Sequence, residues 1–275
     1  AFINDGEGYK KIYKEKIVIL SNSPNNYARI IQKNDAIVET ITPKDLVAYD
    51  INELLLKIKR IKPQVIIIDN PRILTGTYLD KEQIYTLIEN IPEETIIVFD
   101  ESLYSFAENE NEDFYSATNL IFDFSNLIVL RSFSFVHAMA GMRLGYSISQ
   151  ENIANCIDSA RHPFDVSPFS LYTAIKTLQS SDVFEKVTLK YVQEQKDLMY
   201  KYLNEMGLYY IKSSTNSITF STPIPSEELH KDLLEYKIVI KPLWDNFIRF
   251  TIGEQKDNIY FIKSLKMILS SKLHN

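Results

Sequence analysis

Short apolar runs alternate with helical patterns through the first two thirds of the chain. Residues 17–20, 36–41, 65–69, 95–99, 127–130 and 144–149 are short, largely apolar runs that read as buried strands. Between them, residues 52–62, 81–90 and 114–124 carry apolar positions every three or four residues, the spacing of helices with one buried face. Strand, helix, strand predicts a mostly parallel α/β sheet. Special residues fall where the strands end, at 69–70, 100–101 and 131–134. Open α/β sheets collect ligands at the carboxyl ends of their strands.

After His162-Pro163 the pattern changes. It predicts a helix over 167–179 and a long one over 183–206 that Gly207 ends. Strands at 209–212 and 217–221, a helix at 226–236, strands at 238–241 and 247–251 and a closing helix at 254–271 follow. The division expected is a large α/β domain over 1–180, short at its N-terminus, and a small α+β domain over 181–275.

Composition narrows the function classes. A chain of 275 residues with 45% hydrophobic positions can bury roughly three quarters of its unfolded surface. The net charge of −6 is not gathered into blocks, which argues against nucleic acid or an acidic membrane as partner. One cysteine, Cys156, excludes an internal disulfide, and four scattered histidines form no metal motif. Seven glycines are few for a glycine-rich phosphate loop. No apolar run is long enough to span a membrane, and the polar start AFINDGEGYKKIYKEK is unlike a signal peptide, so a cytoplasmic location is expected. The chain starts at Ala1 without methionine, which suggests a processed product or a piece of something longer.

The most informative stretch is RSFSFVHAMAGMRLGY, residues 131–146. It resembles the loop of fold-type I pyridoxal-phosphate aminotransferases, S-F-S-K, a small-residue turn, then G-x-R-x-G-Y. Further segments follow in the family's order: NPRILTG (70–76) is similar to N-P-x-N-P-T-G, and DESLY (100–104) to D-E-A-Y. HPFDVSPFSLYTAIKTL (162–178) is similar to the P-F-N-V-S helix entry, SSTNS (213–217) to S-x-A-N-F, and KIVIKPLWDNFIRFTIG (237–253) to the closing R-x-T-x-G. Within aminotransferase classes I and II, the order looks most like the histidinol-phosphate group.

The resemblance implies fold type I, a homodimer, and a pyridoxal-phosphate site. Its residues divide sharply. Asp100 matches the aspartate that faces the pyridinium nitrogen; Ser132, Ser134 and Arg143 match the phosphate ligands; Arg249 matches the arginine for the substrate carboxylate. Phe135 stands where the family has the lysine that forms the Schiff base and moves the α-proton. A phenyl ring does neither. Ile73 and Leu103 replace the asparagine and tyrosine that bond the cofactor's phenolic oxygen, with Tyr104 one step away. SPNNYAR (23–29) places Asn26 at the ring-stacking position, unless a one-residue slip brings Tyr27 there. The family's additional N-terminal stretch, with its gating segment and second phosphate loop, is expected to be missing.

Each residue also has a plainer reading. Ser132 and Ser134 could cap their turn. Arg143 could pair with Asp100 or Glu101, and Asp100 itself could cap a turn. Arg249 could be a strand arginine packed on Phe247, Ile248 and Phe250. His137, two positions past Phe135, reads as a solvent-facing loop residue, and Trp244 and Tyr104 as packing residues. The function expected is a degenerate aminotransferase homologue, without Schiff-base chemistry, that keeps an anion or phosphate half-site and acts as a binding or partner subunit. The alternatives are an enzyme that holds pyridoxal phosphate non-covalently and a chain completed by a competent partner.

Overall fold

The computed structural model describes residues 2–4, 9–11, 16–20, 26–33, 36–41, 47 and 50–273. A hairpin pairs β1 (Phe2–Asn4) with β2 (Tyr9–Lys11). The main sheet holds β3 (Lys16–Leu20), β4 (Ile37–Thr40), β5 (Val65–Asp69), β6 (Ile96–Asp100), β7 (Leu127–Ser132) and β8 (Gly145–Ser149), in the order β4-β3-β5-β6-β7-β8. All pairs are parallel except β7 with β8. The predicted mostly parallel sheet is therefore present, with one antiparallel strand at its edge.

Helices α1 (Asn26–Gln32), α2 (Ile51–Ile61), α3 (Lys81–Glu89) and α4 (Tyr104–Glu110) lie between these strands. α3 begins with a reciprocal cap, in which the Asp80 side chain accepts from the Gln83 amide and the Gln83 side chain from the Asp80 amide. Leu54, Ile58, Ile84 and Leu87 pack with Ile66, Ile68, Ile97 and Phe99 in the sheet's core. The 114–124 segment is not an α-helix: only Ala117–Leu120 turns, as a 3₁₀ helix, and Ala117 and Leu120 account for its apolar spacing by packing into that core.

α5 (Glu151–Ala160), α6 (Pro168–Gln179) and the 25-residue α7 (Ser181–Glu205) follow. α5 went unpredicted because it buries none of its residues. Gly207 (φ +66°) stands just past α7, as expected. A second, antiparallel sheet runs β11 (Lys241–Pro242), β12 (Phe247–Thr251), β10 (Ser217–Ser221) and β9 (Tyr210–Ile211). α8 (Ser226–Glu235) and α9 (Gln255–Leu273) cover it with Leu229, Leu233, Phe261 and Leu265. The strand predicted at 238–241 shrinks to Lys241–Pro242, because Lys237 is left-handed (φ +59°) and Ile238–Ile240 is irregular chain.

Two contacts tie this second sheet to the first part of the chain. The fully buried Lys196 amine donates to Glu110 Oε2 and to the Ser213 carbonyl, both at 2.6 Å. Gly76, at φ +76°, presses on Ser213 so closely that a Cβ there would lie 1.9 Å from Ser213 Oγ.

Candidate functional site

The strand order brings Asp69 and Asp100 side by side at the carboxyl ends of β5 and β6. Both are buried. Asp69 Oδ2 accepts from the Ile73 amide at 2.8 Å, holding the loop after β5. Asp100 Oδ1 accepts from the Ser102 amide at 2.9 Å, and Oδ2 accepts from the Tyr27 phenol. Asp100 thus caps its turn and also meets a long-range donor. Tyr27 reaches the strand ends through this bond; the side chain of Asn26 lies outside the described residues.

β7 ends at Ser132, whose Oγ accepts from the Ser134 amide at 3.0 Å. The chain then turns through Ala138 (φ +55°) and Arg143 (φ +53°), and returns as β8 with Gly145 opposite Ser132. This return brings Ser132, Ser134 and Arg143 to one cavity of about 660 Å³, which Arg131, Arg161 and Ser102 also line. Arg143 does not pair with Asp100 or Glu101. It is exposed, and its Nη1 donates to the Ala140 carbonyl at 2.9 Å.

The acid's partner is a different arginine. Arg131 Nη2 lies 2.7 Å from Glu101 Oε2 and 2.9 Å from Ser116 Oγ, with the guanidinium carbon 3.1 Å over the ring of Tyr104. Glu101 is completed by Ser116 Oγ and the Ala117 amide, each at 2.7 Å. Burial raises the Glu101 pKa above the ordinary glutamate range, against the opposing pull of Arg131 and these donors. Among the described residues the Nε of Arg131 has no acceptor. The sequence reading marked residues 131–134 as special at a strand end but gave Arg131 no partner, because the pairing with Glu101 depends on how the two strand ends meet. On the far wall, Arg161 grips Asp165 through Nε and Nη2 at 2.8 and 2.6 Å, which holds the aspartate pKa down.

Other positions of the resemblance sit elsewhere. Leu103 is buried with Phe106, Val136, Leu189 and Val192, and Ile73 packs against the same group. Phe135 remains 40% exposed. Arg249 lies on β12, does not line the cavity, and donates from Nε to Ser217 Oγ at 2.9 Å; burial lowers its pKa. Among the described residues it has no carboxylate partner. His137 is not solvent-facing: its side chain is 7% exposed and Nε2 stands 2.7 Å from Glu185 Oε1, because the turn after Phe133 folds back on α7. Trp244 packs near Phe247, as expected of a packing residue.

This sheet, with its acid at a strand end and its serine–arginine turn, defines an aminotransferase-type α/β protein. The aminotransferase class I and II family profile matches residues 10–265, and the chain belongs to that family. Histidinol-phosphate aminotransferase 2 of Carboxydothermus hydrogenoformans is 34% identical over 212 residues, 76% of this chain and 58% of that protein. The chain therefore spans less than two thirds of that relative's length. Among solved structures, the histidinol-phosphate aminotransferase of Clostridium acetobutylicum superposes with a TM-score of 0.83 at 25% identity, covering 94% of this chain and 78% of that one. The Sinorhizobium meliloti enzyme, solved with pyridoxal-5'-phosphate, shares the fold at TM-score 0.83 and 22% identity, covering 94% and 71%. No described helix is long and apolar enough to cross a membrane.

Proposed function

We propose that this chain is a degenerate aminotransferase homologue that carries out no Schiff-base chemistry and binds an anion, phosphate or a phosphorylated molecule, at Ser132, Ser134 and Arg143. The observation that carries the proposal is their convergence on one cavity of about 660 Å³, which Arg131 also lines. A phosphate oxygen supplies charge-assisted acceptors for hydroxyls and guanidinium groups alike. The Arg161–Asp165 pair is neutral in sum, so Arg143 sets the positive charge of the cavity.

The residues present do not fit a covalently held pyridoxal phosphate. Position 135 offers no amine, Asp100 is engaged by the chain itself, and Ile73 and Leu103 belong to an apolar group where polar donors would be needed. No step is routed through that cofactor. Asp100 is then a structural acceptor, and Arg249 a half-buried cation available to a carboxylate ligand.

The role is that of a binding or partner subunit, with a large domain over 1–180 and a small one over 181–275. Self-association as a homodimer is supported by the apolar face that α6 and the start of α7 leave uncovered, including Phe169 at 67%, Tyr172 at 62% and Phe184 at 60% exposure. Titration calorimetry with inorganic phosphate tests the half-site. Binding should occur in the unaltered chain and weaken at least about tenfold in Arg143→Ala. Equal heats from both proteins would refute it.

A further inference from the structure

The anion cavity leaves one retained acid without a ligand role. Asp100 is buried and does not line the cavity, although Ser102, two residues on, does. Both carboxylate oxygens are taken, Oδ1 by the Ser102 amide and Oδ2 by Tyr27. Tyr27 lies 73 residues upstream on α1, so this donor is not a local cap. Burial first, then Asp100 and Asp69, push the phenol pKa far above its ordinary value. The phenol is therefore a hydrogen-bond donor at neutral pH.

A protonated ring nitrogen could reach this carboxylate only by displacing the phenol. Displacement would take a partly buried hydroxyl away from the carboxylate it bonds, beside two acids. We propose that Tyr27 is a built-in occupant of Asp100, a specificity-determining residue that excludes protonated nitrogen heterocycles and leaves the adjoining cavity to recognise the phosphate group alone. The inference rests on the reading of the cavity as an anion site. It goes further by assigning Tyr27 the part of an internal ligand.

The test is calorimetric titration of the full chain with two probes, inorganic phosphate and pyridoxamine 5'-phosphate, which has no aldehyde to react with surface lysines. In the unaltered chain the two dissociation constants should agree within about threefold, since the ring adds nothing. Tyr27→Phe, which frees Asp100 Oδ2, should tighten pyridoxamine 5'-phosphate by about tenfold, the effect of one charge-assisted hydrogen bond, and leave phosphate unchanged. Circular dichroism checks that this variant folds. Should it fail to fold, Asp100→Asn decides: it should leave pyridoxamine 5'-phosphate affinity as it was, because the carboxylate was never available to the ring. Tighter binding of pyridoxamine 5'-phosphate than phosphate by about a hundredfold in the unaltered chain, lost in Asp100→Asn, overturns the inference. So does a folded Tyr27→Phe with unchanged preference. If phosphate fails to bind at all, the half-site reading falls separately, and the role of Tyr27 is still decided by whether Tyr27→Phe creates affinity for pyridoxamine 5'-phosphate.

Discussion

Arg131 holds Glu101 in a buried ion pair 2.7 Å long, on a strand whose next residue, Ser132, opens the turn that leads to Arg143. Removing the cation while leaving the acid strands a charge away from water, which typically costs about 3–5 kcal/mol. Arg131→Met should lose stability on that scale in urea unfolding, whereas Arg131→Met with Glu101→Leu should recover most of it. A single variant as stable as the unaltered chain would mean that the pair is incidental.

The same pair sets a pH dependence. Burial raises the folded pKa of Glu101, so the folded chain holds this proton to higher pH than the unfolded chain does. The associated stability is complete below the ordinary glutamate range and is lost as pH rises through the folded value. Measured against Glu101→Gln across pH 4 to 8, the unaltered chain should lose stability as pH rises. A difference curve that climbs instead would contradict the assigned direction.

Gly76 should tolerate no side chain. Its φ of +76° favours glycine, and a Cβ would meet Ser213 Oγ at 1.9 Å where the Ser214 amide bonds the Gly76 carbonyl at 2.8 Å. Gly76→Ala should cost at least about 1 kcal/mol of thermal stability, and Ser213→Gly should recover part of the loss by removing the clash. An alanine variant that melts with the unaltered protein would show that this contact yields easily.

Restoring the missing amine should not restore activity. Phe135→Lys supplies a base that elsewhere contributes roughly a hundred- to ten-thousandfold. Here Ile73 and Leu103 belong to an apolar group, and Asp100 is occupied by Tyr27. An exposed lysine would also be mostly protonated at neutral pH, and so a poor nucleophile. Single-turnover transamination with several amino acids should stay at background in Phe135→Lys, beside a triple variant that adds Ile73→Asn and Leu103→Tyr. Robust turnover by the single variant would show that the pocket is intact.

Much of this was legible in the sequence because each signal was local. The apolar runs at 65–69 and 127–130 became β5 and β7, and the S-F-S turn brought Ser132, Ser134 and Arg143 to one cavity. What stayed hidden depended on distant packing. The apolar spacing at 114–124 imitates a helix, yet Ala117, Leu120 and Ile121 plug the core from a single 3₁₀ turn and the residue after it. The Tyr27–Asp100 bond spans 73 residues, and the Arg131–Glu101 pair joins adjacent strands, contacts that no single window of sequence displays. His137 reads as a loop residue until the turn lays it against α7.

The central claim is that this aminotransferase-family chain forms no specific Schiff base. The most direct measurement is to mix the full chain with pyridoxal phosphate, reduce with borohydride, and map the modified lysines by mass spectrometry. The account predicts sparse labelling spread over surface lysines, with no band in the visible spectrum that saturates at one cofactor per chain. Near-stoichiometric labelling of one lysine would contradict it. Lys241, exposed on β11 and opposite Arg249 in the register, is the first to inspect.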